Sequence, residues 1–130
     1  MAANTAPIFE ILPTIKGVTV VNADSTNLKT IQTGGSEGTR VDGIFVSSND
    51  ASAVNLAFYI NDGANDLYIG NVVVPIGSGY TTVSRVEAMT TLSPLLGYLV
   101  LPYNYILKCN AVVAVTAAKT VTVVAQGGNY

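Results

Sequence analysis

Val54-Asn55-Leu56-Ala57-Phe58-Tyr59-Ile60-Asn61 alternates without a fault: Val54, Leu56, Phe58 and Ile60 fall on one side, Asn55, Ala57, Tyr59 and Asn61 on the other. A period of two belongs to a β-strand with one buried face. Asp62-Gly63 follows at once, a pair that favours tight turns, and residues 67–74 resume as the expected antiparallel return, ended by Pro75.

Working outward, short apolar runs recur between turn residues. Residues 8–12 and 17–21 read as two strands with Pro13 breaking them, because proline cannot donate to a ladder. Residues 28–33 form a brief alternating piece, and Gly34-Gly35-Ser36-Glu37-Gly38 reads as a flexible loop. In residues 40–47, Ile44 and Val46 share a face and Val41 lies one step out of phase, which predicts a bulge near Gly43. Residues 81–93 suit a crossover with one turn of helix, from the spacing of Val83, Val86 and Met89. Residues 99–101 make a short strand, and Pro102-Tyr103-Asn104 turns into another over 105–109. Residues 111–116 and 120–125 are expected to form the last pair, with Gly127-Gly128-Asn129-Tyr130 as the tail. About nine short strands at this spacing predict an all-β fold, a jelly-roll-like antiparallel β-sandwich of eight or nine strands. Its inward set is Ile44, Val46, Val54, Leu56, Phe58, Ile60, Leu107, Val121 and Val123.

The 130 residues are enough for one domain, expected over 8–130 with residues 1–7 as a flexible N-terminal arm. Charged residues are only 11% of the chain, so the surface is carried by Thr, Ser, Asn and Gly and loses its water cheaply. That suits a protein in lasting contact with other proteins. The six basic residues, Lys16, Lys29, Arg40, Arg85, Lys108 and Lys119, are scattered singly and the net charge is −2, so no nucleic-acid partner is expected. The N-terminus lacks the basic start and apolar run of a signal peptide, and the longest apolar stretch, residues 95–107, is interrupted and too short for a bilayer; no membrane association is expected. Cys109 is alone, so no intrachain disulfide can form, which fits synthesis in a reducing compartment.

With no histidine in the chain, acid–base and nucleophilic catalysis lose their usual agent, and no catalytic residue, cofactor or metal is expected. Asp62 and Asp66 read as hairpin-tip residues, since the stretch lacks the length and closing Glu of a calcium loop. Cys109 alternates with Tyr105 and Leu107 and reads as a small core residue. The candidate contact residues are tyrosines: Tyr98, Tyr103 and Tyr105 crowd around Pro102, and Tyr130 stands at the end. Interface use and strand-edge packing both fit them.

Asn4-Thr5-Ala6-Pro7-Ile8-Phe9, Arg40-Val41-Asp42-Gly43-Ile44, Leu101-Pro102-Tyr103-Asn104-Tyr105-Ile106-Leu107 and Gly127-Gly128-Asn129-Tyr130, in this order and spacing, resemble a family of small virion proteins of tailed bacteriophages. The likeness spans most of the chain and departs at Gly43 and Phe45, where longer polar side chains are expected. It implies a jelly-roll capsid decoration or cement protein, made in the bacterial cytoplasm and displayed on the phage capsid surface. It also implies homotrimers and, as partner, the major capsid protein or another virion protein. The expected interface set is Asn4, Thr5, Ala6, Pro7 and Ile8 of the arm with Tyr98, Tyr103, Tyr105 and Tyr130. A tail, neck or head-fibre protein is the structural alternative, and a carbohydrate-binding β-sandwich using exposed tyrosines the alternative of another class.

Overall fold

A computed structural model describes residues 12–130. Nine strands and one turn of helix follow in order: β1 (Leu12–Val21), β2 (Lys29–Thr33), β3 (Thr39–Ser48), β4 (Val54–Asn61), β5 (Asp66–Val74), β6 (Val86–Glu87), α1 (Met89–Leu92), β7 (Leu99–Leu101), β8 (Ile106–Ala111) and β9 (Thr120–Asn129). A 3₁₀ turn, Asn22–Asp24, follows β1. One sheet runs β1-β9-β3-β6, with β7 also paired to β3, and the other runs β2-β8-β4-β5. Every pairing is antiparallel. The β4–β5 hairpin stays within one sheet, whereas the chain changes sheets from β1 to β2, β2 to β3, β3 to β4, β5 to β6, β7 to β8 and β8 to β9. This is the strand order of a jelly roll.

Registry explains why the apolar row of β4 is buried. Leu56 opposes Val72 and Ala111, and Phe58 opposes Gly70 and Cys109, so the inward residues of three strands fall in line. In the five-stranded sheet, on the other side of the gap, Ile44 pairs beside Ala125 and Val46 beside Val123. Ile44, Val46, Leu56, Phe58, Leu107, Val121 and Val123 have no exposed surface, Val54 is also buried, and Ile60 packs half-buried at the rim. Full burial of each such side chain contributes about 1.5–3 kcal/mol, enough together to oppose chain entropy without a cross-link. On the flank, α1 closes the sandwich: Met89 is buried, and Leu92 lies where a side chain at Gly70 would begin, 3.2 Å from that position.

The hairpin, the β3 bulge between Val41 and Gly43, and the single helical turn match expectation. Three other expectations are corrected. Pro13 does not break a strand: β1 runs on through it, opposite Gly128. Since β1 is an edge strand and Pro13 its second residue, the missing N–H disrupts no central ladder. Residues 8–11 of the expected first strand, like the expected arm, lie outside the described residues.

Nor do residues 111–116 and 120–125 pair with each other. β8 ends at Ala111, residues 112–119 cross between sheets, and β9 lies between β1 and β3. The crossing is held by side chains rather than by a ladder. Asn22 Nδ2 donates to the Val115 carbonyl (2.7 Å), while the Asp50 carboxylate accepts from the Thr116 N–H (3.0 Å) and hydroxyl (2.7 Å). Val-rich composition favours a strand locally, but these tertiary partners pull the segment out of one. The expected tail is instead the last part of β9, through Asn129.

Candidate interaction surface

Three segments distant in sequence converge at one end of the sandwich. Leu12, Asn129, Thr39 and Leu101 form a lateral row across β1, β9, β3 and β7. Beyond that row, residues 34–38 meet the turn after β7. Gly34 N–H donates to the Tyr105 carbonyl (2.7 Å), Asn104 N–H to the Gly34 carbonyl (3.2 Å) and Tyr130 N–H to the Gly38 carbonyl (3.2 Å). Thr39 Oγ1 accepts from the Gly35 N–H (2.8 Å) and donates to Asn129 Oδ1. The glycine-rich loop expected to be flexible is therefore stitched to its neighbours. Glycine is required at position 34 because a Cβ there would stand 2.0 Å from the Pro102 carbonyl oxygen.

Together these segments line a shallow groove of about 560 Å³ formed by Ser36, Glu37, Gly38, Val100, Pro102, Tyr103 and Tyr130. Tyr103 is 61% exposed and Val100 47%, so the walls are aromatic and aliphatic, with Glu37 the one ionised side chain in the lining. The structure thus brings Tyr103 and Tyr130 together. Tyr98 and Tyr105 are not with them. Tyr98, preceding β7 at its other end, lies under the Arg40 guanidinium, 4.1 Å from the ring centroid, and Arg40 Nε donates to Asp42 Oδ1 (2.6 Å). Tyr105 packs half-buried against the core. Asn4, Thr5, Ala6, Pro7 and Ile8 lie outside the described residues.

Sequence reasoning did not find Val100 or the 36–38 rim, because nothing local marks residues made neighbours by strand crossings. It also passed over a second cation–ring pair on the outer face of the five-stranded sheet, where Arg85 covers Phe45 at 4.0 Å. Gly43 makes room for that ring: a Cβ there would sit 3.3 Å from Phe45 Cζ. Gly43 and Phe45 are thus in contact range of each other.

The groups that could have carried other chemistry are engaged. Asp62 Oδ1 accepts from the Ala64 N–H (3.0 Å) and Asn65 N–H (2.8 Å), and Asn61 Oδ1 from the Gly63 N–H (2.8 Å). The Asn65 and Ala64 N–H groups hold the Asp62 carboxyl below its ordinary pKa, as expected for a carboxylate closing its own turn. Among the described residues no group of three His, Cys, Asp or Glu side chains is placed to hold a metal ion, and no helix is long and apolar enough to cross a membrane. Burial pushes the Cys109 thiol up to about 12, against a smaller opposite pull from Lys29. Since the thiolate is the reactive form, Cys109 in the native protein should resist an aromatic disulfide reagent and react stoichiometrically once guanidinium unfolds the chain. Rapid labelling under native conditions would contradict its place in the core.

No protein-family model matches the chain, and no curated protein is similar to it in sequence.

Proposed function

We propose that the chain is a structural virion protein, a capsid decoration or cement protein that binds the outside of a tailed-phage head as a homotrimer. The observation that carries this reading is the Tyr103–Tyr130 groove on a charge-poor jelly roll, at the end of the sandwich where β1 begins. Leu12, the first described residue, pairs with Asn129, the residue before Tyr130, which lines the groove. Tyrosine provides large contact area at small entropic cost, and a surface of amides, hydroxyls and short apolar side chains is desolvated more easily than one of charges. A trimer then gains avidity by engaging several capsid subunits at once.

Deleting residues 2–7 should leave the melting temperature unchanged and abolish binding of the purified protein to phage heads that lack it. Unchanged occupancy on those heads would overturn the role given to the segment, and failure of the intact protein to bind would overturn the decoration reading.

A second reading, a carbohydrate-binding sandwich, rests on Tyr68. It is 59% exposed on the outer face of the four-stranded sheet, packs edge-to-face on Tyr59 with centroids 5.6 Å apart, and donates its hydroxyl to Asn71 Oδ1 (2.8 Å). Measurable glycan affinity lost in Tyr68→Ala would favour it over the virion reading.

A further inference from the structure

Along one edge of the sandwich the inner layer turns from apolar to polar. β1 and β2 are the end strands of their respective sheets and lie against each other without sharing a ladder. The inward row of β1 runs Val20, Val18, Lys16, Thr14: Val20 is buried, Val18 packs on the core, and Lys16 pairs beside the buried Ala125. On β2 a bulge between Thr30 and Gln32 lets the neighbours Ile31 and Gln32 both be buried, with Gln32 opposite the fully buried Leu107.

Lys16 and Gln32 line a cleft of about 510 Å³ together with Thr14, Thr30, Thr33 and Asn129. That volume falls within the range of small-molecule sites, about 300–1,000 Å³. Two of its groups have no partner among the described residues. Gln32 is only 6% exposed; its Nε2 donates to the Thr33 carbonyl (2.9 Å), which fixes the amide, while its Oε1 accepts no hydrogen bond. No hydrogen bond or ion pair engages the Lys16 ammonium, and no Asp or Glu lines the cleft. Asn129 Oδ1 is taken by Thr39, which leaves its Nδ2 to donate.

We infer that this cleft binds a small polyhydroxylated carboxylate, of which a hexuronic acid unit is the test case. The Lys16 ammonium pairs with the carboxylate, and the Gln32 oxygen, costly to leave unpaired when so buried, accepts from a ligand hydroxyl. Asn129 and the threonines supply further donors and acceptors. One ammonium, with no guanidinium and no glycine-built nest of N–H groups in the lining, matches a singly charged carboxylate rather than a phosphate dianion. A neutral sugar would leave Lys16 unused, and acetate would leave the Gln32 oxygen unpaired. The cleft shares no residue with the Tyr103–Tyr130 groove, so the inference stands apart from capsid binding.

Calorimetric titration of the full chain should show D-galacturonate binding at least about tenfold more tightly than galactose, acetate or inorganic phosphate. Lys16→Gln should abolish the preference over galactose, and Gln32→Leu should weaken both sugars about fivefold. Lys16 is exposed on an edge strand, so its variant keeps the fold, as unchanged circular dichroism would verify. Tyr68→Ala should leave galacturonate affinity unchanged. Trigalacturonate should bind through the same two residues; either order of affinity supports the site, and the tighter ligand tells a unit of a chain from a free acid. Absence of galacturonate binding, phosphate bound equally well, or a preference that survives Lys16→Gln would each overturn the inference, the last leaving Lys16 as a guard against edge-to-edge pairing.

Discussion

Phe58→Asp is expected to leave no folded protein at room temperature. Phe58 has no exposed surface, and its β4 position faces inward opposite Gly70 and Cys109. Removing a buried phenylalanine side chain costs about 3–5 kcal/mol. A carboxylate enclosed without a partner adds several kcal/mol more, or must take up a proton to escape that penalty. The sum reaches the net stability of an ordinary domain, about 5–15 kcal/mol. Slipping β4 by one residue offers no refuge, because Val54, Leu56 and Ile60 would turn to water with it. Tyr59→Asp is the matched control: Tyr59 lies on the outer row against Tyr68, and its loss should cost about 1 kcal/mol. Circular dichroism and urea melts check both. A soluble, cooperatively melting Phe58→Asp protein would show that the inward row is misassigned.

Asp50→Ala is expected to be the most damaging substitution of a polar residue. Asp50 is buried where the β3–β4 turn meets the 112–119 crossing, and it accepts from Thr116 N–H and hydroxyl and from Ser52 N–H. Alanine would remove the ionised acceptor of all three hydrogen bonds while the exposed Thr116 and Ser52 donors turn to water, so the loss should be about 2 kcal/mol, or roughly 7 °C in melting temperature. Burial alone would raise the Asp50 pKa. Hydrogen bonds from Thr116, Ser52 and Ala51 outweigh it, and the net direction is down. A carboxyl depressed in the folded state contributes stability that is complete above its unfolded pKa, about 3.9, and is lost as pH falls through the folded value. Wild-type melting temperature should therefore decline below about pH 4, and Asp50→Asn should start lower at neutral pH and decline less on acidification. An Asp50→Asn protein with wild-type stability and an unchanged acid limb would show that the crossing is held by something else.

The candidate surface was legible only in its parts. Tyr103 and Tyr130 stand out because large aromatic residues near turns are obvious in a sequence. Their meeting was not visible, since it requires β7 to pair with β3 and β9 to end beside both. Tyr98 and Tyr105 looked equivalent to Tyr103 from their spacing around Pro102. Yet one lies under Arg40 and the other packs on the core, outcomes set by strand direction after the turn.

What the sequence determined by itself is the all-β class, the β4–β5 hairpin, the bulge before Ile44 and the central part of the core, Ile44, Val46, Val54, Leu56, Phe58, Leu107, Val121 and Val123. Each follows from alternation and turn chemistry, which act between residues a few positions apart. Only the tertiary structure decided that Pro13 sits harmlessly on an edge, that residues 112–119 cross between sheets, and that residues 36–38, 100–103 and 130 share one groove. Those outcomes depend on which strands become neighbours, and that choice is made by packing two apolar faces across the whole chain rather than by any local preference.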